Sequence, residues 1–356
     1  MKVFLVGGFL GSGKTTAIHQ ATLSLEQAGK KIGIVTNDQG DQLVDTQFIR
    51  AQHMAVREVT QGCFCCNFHQ LTQSIEALQQ MRQTDFIFAE SVGSCTDLVA
   101  TVLKPLLAYD KAEDAVLSVF ADVQLLCSYL LKSGDILNGN SNYIYEKQLE
   151  EADVIVVSKI DTLNEKLLKE AKKLIEGEFG LKDILYQNSL NPVDIQRWII
   201  YLKNFPARKS RQSLQINYDD YAAGEAEMAW FDGEFEIATR GSEAGEIGYQ
   251  IMNGFYNKIR ERKYVIGHLK FLMSSMEDQA KVSFTAIQLD GFQMPGFKKT
   301  NKITLLINAR VKTGYETLDE LVDHAIRAVV LTTECTIQEH SRRAFQPGYP
   351  KPTCRI

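Results

Sequence analysis

Three cysteines stand within four residues in the stretch EVTQGCFCCN, which runs from Glu58 to Asn67 and contains Cys63, Cys65 and Cys66. Thiolates bind zinc-type metals at about 2.3 Å, and a closed structural site usually draws four of them from paired CxxC units. No second CxxC occurs here, so a closed structural zinc site is hard to build. Three thiolates with an open or labile fourth position suit metal transfer better. Soft ligands of this kind favour Zn2+, with Co2+ and Ni2+ as alternatives. Adjacent thiolates raise each other's proton affinity, so metal binding should release protons. Two other readings stay open, a cluster of buried thiols packing as small hydrophobes and a vicinal-thiol redox sensor. Cys95 is either a fourth thiolate or a buried cysteine, while Cys127, Cys335 and Cys354 carry no ligand spacing and His268 reads as a satisfied strand residue.

A second chemistry lies nearer the start. Residues 8–15, GFLGSGKT, fit GxxxxGK[ST] between an apolar strand-like run and a helix-like one. Gly11 and Gly13 let the backbone curl, so that loop amides and the helix start face phosphates. The expected nucleotide contacts are Gly8, Gly11, Ser12, Gly13, Lys14, Thr15 and Thr16, with Lys14 on the β/γ-phosphates and Thr15 on Mg2+. Asp85–Gly93 delivers Glu90 and Gly93 at the end of an apolar run, an ExxG that would hold the Mg2+ hydration shell and sense the γ-phosphate. Ser158-Lys-Ile-Asp161 resembles the guanine-reading NKxD motif, with Ser in place of Asn. Asp161 can accept the two guanine donors that adenine lacks, and the Lys159 stem can lie over the base. The plain alternative is a strand end with a surface Lys and Asp. Catalysis falls to Lys14, Glu90 and, as the water-orienting candidate, Asp38. No arginine finger is identifiable, so turnover should be slow without a partner.

These residues need elements to position them. Apolar runs at Lys2–Val6, Lys31–Thr36, Phe86–Ala89, Ala115–Phe120, Val154–Val157 and Ile184–Tyr186 alternate with amphipathic stretches at Thr15–Gln27, His69–Met81, Leu98–Leu107, Glu165–Glu178 and Val193–Lys203. Such alternation predicts an α/β fold, a mostly parallel sheet covered by helices on both faces. A polar break predicts a linker over 206–226, dividing a P-loop domain at 1–205 from a smaller α+β domain at 227–356. That second domain is predicted to carry strands at Trp230–Thr239, Val265–Ser274, Lys281–Leu289 and Ile303–Val311, with helices at Glu243–Glu261 and Leu318–Leu331.

The 356 residues suit two domains, and a net charge of −5 gives no basic face for nucleic acid. Arg342, Arg343, Lys351 and Arg355 are too scattered to change this and read as a solvated tail. No run approaches the roughly 20 apolar residues that span a bilayer. Met1–Leu10 lacks a basic n-region and leads straight into the P-loop, so a signal peptide is not expected and a cytoplasmic location is.

GGFLGSGKTT, TNDQGDQLVD, EVTQGCFCC, AESVG and SKID, in this order, resemble the CobW-type metallochaperone GTPases, relatives of the GTPases of urease and hydrogenase maturation. The resemblance covers about residues 1–205. It implies a GTPase that binds a transition metal at the GCxCC cysteines Cys63, Cys65 and Cys66 and delivers it to a client metalloprotein or cofactor-assembly protein. It places Glu90 on the family's ExxG glutamate, and Asp38 and Asp41 on an acidic pair after the second strand. Ser94-Cys-Thr-Asp97 departs from the family's usual residues after ExxG, and no His-rich stretch is present. The second domain would recognise the client or a second copy of the chain. Two rivals stand beside this reading, a phosphotransferase acting on a small molecule and a non-hydrolysing metal-binding module.

Overall fold

The computed structural model describes residues 1–40, 44–133, 137, 139–206, 211–285 and 295–356. Asp41, and residues 286–289 of the expected third strand of the second domain, lie outside them. The chain forms two compact units. One contains Met1–Gln39, Ile49–Gly224 and Tyr349–Ile356, and the other Gly40–Phe48 and Glu225–Gly348.

The first unit runs β1 (Lys2–Gly7), α1 (Lys14–Gln27), β2 (Ile32–Asn37), α2 (Val44–Ala51, whose residues up to Phe48 count with the other unit), β3 (Val56–Val59), α3 (Phe68–Arg82) and β4 (Phe86–Glu90). After α4 (Lys104–Ala108) follow β5 (Asp114–Asp122), α5 (Val123–Leu130), α6 (Ser141–Glu151), β6 (Val154–Ser158), α7 (Glu165–Phe179), β7 (Asp183–Gln187), α8 (Pro192–Asn204) and α9 (Tyr218–Ala226). The seven strands make one sheet in the order β3-β2-β4-β1-β5-β6-β7, every pairing parallel. Strands buried on both faces need no polar alternation, which is why β1, β2 and β6 are continuous apolar runs. Ala17, Ile18 and Ala21 of α1 and Ile195, Trp198 and Leu202 of α8 pack on Phe4, Phe88 and Phe120. Pro105 has no N–H to return, and the turn before it widens: Lys104 N–H reaches the Val99 carbonyl in a π-helical turn over Val99–Leu103.

The second unit carries β8 (Ala229–Thr239), α10 (Ala244–Glu261), β9 (Ile266–Ser274), β10 (Gln279–Thr285), β11 (Lys302–Val311), α11 (Tyr315–Val330) and β12 (Cys335–Phe345). Its antiparallel sheet has the order β10-β9-β11-β8-β12. Ile247, Ile251 and Phe255 of α10 and Leu318, Leu321 and Val322 of α11 close its core. Three features of the Gly40–Phe48 stretch fasten to this sheet. Val44 N–H donates to Asn308 Oδ1 at 2.8 Å, Asp45 pairs with both Lys270 and Lys281, and Val44 and Phe48 pack on Leu272 and Leu306. Gly40 lies so close to Asp232 that a side-chain carbon there would meet its carboxylate at 1.8 Å.

The solvated-tail reading does not hold for Arg342 and Arg355, while Arg343 and Lys351 are exposed. Arg342 lies in β12 and bonds Asp319 and Asp323 of α11, and Arg355 bonds Asp97 in the first unit. His268 is a buried residue of β9, opposite Thr285 of β10 and Arg310 of β11. Within the expected linker, residues 218–226 form α9.

Candidate functional site

In a parallel sheet the loops that leave the C-terminal strand ends gather along one edge, and ligand sites of open α/β sheets form there. The P-loop follows β1, Asn37 closes β2, the cysteine loop follows β3, Glu90 closes β4 and Ser158 closes β6. Topology alone therefore brings every motif to the same edge.

Gly8 has φ +125°, and a side-chain carbon there would stand 2.2 Å from the Phe120 carbonyl oxygen, so only glycine fits. Lys14, buried, turns its Nζ back onto the Gly8 and Phe9 carbonyls at 2.6 and 3.2 Å. Those carbonyls hold the ammonium over the loop, where a phosphate would compete for it. Thr15 Oγ1 donates to Glu90 Oε1 at 2.8 Å, which joins the two expected Mg2+ ligands in one buried pair. Gly93 presses on the P-loop: a side-chain carbon there would lie 2.9 Å from Leu10 N. Gln148, buried, fixes this contact by donating its amide to the Gly93 and Cys95 carbonyls at 3.0 and 2.8 Å. Gly11 and Gly13 take φ of +76° and +86°, the left-handed region, and Gly13 caps α1. Ser12 is buried, and Thr16 is exposed.

Ser158 does more than replace an asparagine. Its hydroxyl lies 2.7 Å from the Ser12 carbonyl and 3.2 Å from the Ala121 carbonyl, both buried. One proton serves one acceptor at a time, so the tie to the P-loop persists with a single donor. Lys159 adopts φ +58° and pairs with Asp122 at 2.9 Å. Asp122 in turn caps α5 through Gln124 and Leu125 N–H. The Lys159 stem is thus steered by a residue that the motif does not include, while Asp161 stands exposed.

The three cysteine sulfurs converge. Cys63 Sγ lies 2.7 Å from Cys65 Sγ and 3.3 Å from Cys66 Sγ, and Cys65 and Cys66 are 3.7 Å apart. Among the described residues this is the one group of three or more His, Cys, Asp or Glu side chains close enough to share a metal. Cys63 and Cys65 are buried and Cys66 is half-buried. The thiols of Cys65, Cys66 and Cys95 all serve Cys63, holding it well below the ordinary thiol range. Its negative charge and hydrogen bond then push Cys65 well up and Cys66 up to about 11. One proton is lost readily and two are held, so a metal entering must displace the latter.

Asn37 builds the loop that carries them. Its Nδ2 donates to the Val59 and Gly62 carbonyls at 3.0 and 2.8 Å, and its Oδ1 accepts from Phe64 N–H at 2.8 Å. The next residue, half-buried Asp38, is held by its own N–H to the Val59 carbonyl at 3.1 Å. Asn37, which TNDQGDQLVD contains without marking, Asp122 and Gln148 carry no motif role of their own. The first two share a signal, a polar residue closing a buried apolar strand, where its side chain has to find partners.

No helix among the described residues is long and apolar enough to cross a membrane. The chain is 26% identical over 205 residues to the zinc chaperone CobW of Sinorhizobium sp, covering 51% of this chain and 57% of that protein. It is 27% identical over 174 residues to the zinc chaperone YjiA of Escherichia coli, covering 46% and 50%. The chain spans about half the length of the curated relatives it matches. Among solved structures, HypB from Helicobacter pylori in complex with nickel aligns at 15% identity and a TM-score of 0.41, over 59% of this chain and 91% of that one. A Zn(II)-bound triple mutant of YjiA GTPase aligns at 14% identity and a TM-score of 0.36, over 92% and 98%. The sequence profile described as CobW/HypB/UreG, nucleotide-binding domain, matches residues 2–180. That stretch is half of the chain and contains every motif described above, and the chain belongs to the CobW/HypB/UreG family.

Proposed function

We propose that this protein binds and hydrolyses GTP and uses the nucleotide state to control the binding and delivery of a transition metal, zinc before cobalt or nickel, to a client metalloprotein. The observation that carries the reading is the sulfur triangle of Cys63, Cys65 and Cys66 on a loop tied through Asn37 to the end of β2. The metal is cargo, and a half-buried third thiol gives it a way in and out.

GTP would lie over Gly8, Gly11, Ser12, Gly13, Lys14, Thr15 and Thr16, with Gly93 at the γ-phosphate and Lys159 and Asp161 on guanine. The paired oxygens of Thr15 and Glu90 fit a hard cation, and Mg2+ held there would neutralise phosphate charge. Lys14 would leave the loop carbonyls for the β- and γ-phosphates, and Asp38 would orient the attacking water. Collapse of the γ-phosphate contacts at Gly93 and Asp38 would loosen the cysteine loop, whose anchor Asn37 stands one residue before Asp38. The second unit would serve recognition of the client or of a second copy.

Zn2+ titrations with GDP and with a non-hydrolysable GTP analogue test the coupling: affinities should differ between the two, and equal affinities would sink it. GTPase rate and bound-metal stoichiometry in wild type and Cys66→Ala test its two halves. Competition by ATP as strong as that by GTP would favour the phosphotransferase reading instead.

A further inference from the structure

Residues 349–356 belong to the first unit and run over its cysteine loop. Pro350 and Pro352 flank Lys351, so the triplet has a single N–H, and the residue before each proline is biased towards extended backbone. That single N–H donates to Cys66 Sγ at 3.3 Å. Two residues on, Thr353 places its N–H on the Cys65 carbonyl at 2.9 Å, and its hydroxyl lies 3.3 Å from the same oxygen. Arg355 then bonds the buried Asp97 carboxylate at 2.8 Å, and Ile356 N–H reaches the Ala100 carbonyl at 2.9 Å. Asp97 sits seven residues beyond Glu90, and the Tyr218 hydroxyl donates at 2.6 Å to the same Asp97 oxygen, Oδ2, that Arg355 Nε bonds. The stretch is therefore a strap, pinned at one end on Cys65 and Cys66 and at the other on the segment that follows ExxG.

We propose that this strap is the gate of the thiol cluster. It covers Cys66, the one cluster thiol that is not fully buried, and a metal leaves only when the Lys351 and Thr353 bonds open. The inference rests on the metal reading of the cluster and adds what controls its exchange. The far anchor gives the gate a handle, because a displacement of the chain after Glu90 and Gly93 moves Asp97 and pulls on Arg355. An N–H donor on a bound thiolate also withdraws charge from the sulfur, so opening the strap changes the ligand as well as its access.

The test uses the full chain, Arg355→Ala, Arg355→Lys and a variant lacking residues 349–356. Iodoacetamide labelling of the metal-free protein, read at the Cys66 peptide by mass spectrometry, measures the gate without any metal. Transfer of Zn2+ from the loaded protein to a chromophoric chelator measures it with one. Charge-assisted bonds are worth about 1.5–3 kcal/mol, so losing the Arg355 anchor should raise both rates by about tenfold or more. The lysine variant should recover part of the loss, the shortened variant should give the fastest rates, and Cys335 should label as in wild type. A shortened variant that labels Cys66 at the wild-type rate overturns the proposal. Wild type that holds no Zn2+ refutes the metal reading instead, and the labelling rates then decide the strap by themselves.

Discussion

Replacing Asn37 with alanine removes three hydrogen bonds at the root of the cysteine loop. The consequences differ by group. The Val59 carbonyl keeps a partner, since it also accepts from Asp38 N–H at 3.1 Å. The Phe64 N–H is buried and loses its acceptor, which costs about 1–3 kcal/mol. The two bonds from Nδ2 are worth about 1 kcal/mol together to about 1 kcal/mol each. The sum is about 3 kcal/mol, lost from the first unit alone. The chain's two tryptophans let that unit be read separately, because Trp198 lies in the first unit and Trp230 in the second. Both are buried, and Trp198 packs tilted against Phe88 and edge-on to Phe120. In a Trp230→Phe background, urea unfolding followed by Trp198 fluorescence should show a midpoint lower by about 1.5 M, taking a slope of about 2 kcal/mol/M. Zn2+ affinity should fall with it, since the sulfur triangle has lost its floor. A loss below about 0.5 kcal/mol with unchanged Zn2+ binding would mean that the loop holds its own shape and that Asn37 does not build it.

Three further outcomes are expected. Asp161→Asn should erase most of the preference for GTP over ATP in competition binding, by about 100-fold or more, because guanine's two donors then meet an amide. Burial works to raise the Asp45 carboxyl, yet Lys270 and Lys281 hold it well below the carboxylate range, so Asp45→Asn should destabilise the second unit by about 2 kcal/mol, read through Trp230 in a Trp198→Phe background. Burial, with the nearby Asp97 charge adding to it, raises Glu151 from 4.5 to about 8. The folded state keeps this proton where the unfolded chain has released it, so stability of the first unit should decline as pH rises from 4.5 to about 8, and Glu151→Gln should flatten that decline in urea titrations at several pH values.

The parallel sheet was readable because buried strands such as β1 and β6 are uninterrupted apolar runs of the right length. The same physics hid β3 and β12. β3 is a four-residue edge strand, VREV, and β12 is an edge strand whose Glu339 and Arg343 are exposed. A bulge between Glu339 and Ser341 breaks the alternation that would have marked β12. In the site, the P-loop, ExxG and the cysteines are local patterns and could be read directly. Asn37, Asp122 and Gln148 act through partners as far as 55 residues away, and no spacing announces them. The strap was least legible of all, since a proline-rich, basic stretch looks like solvent-exposed chain until Asp97 and Cys66 are seen beside it.

The fastening of Gly40–Phe48 also bears on how this protein is made. Val44 bonds a residue that is 264 positions later, and the lysines paired with Asp45 are 225 and 236 positions away. At a ribosomal rate of about 5–20 residues per second, roughly 10–50 s pass between the emergence of Val44 and that of Asn308. During that interval the sheet of the first unit can assemble from β1, β2, β4 and β5, while Val44 and Phe48 wait uncovered. The nascent chain thus carries Val44 and Phe48 as apolar side chains open to a chaperone until Leu272 of β9 and Leu306 of β11 emerge to cover them.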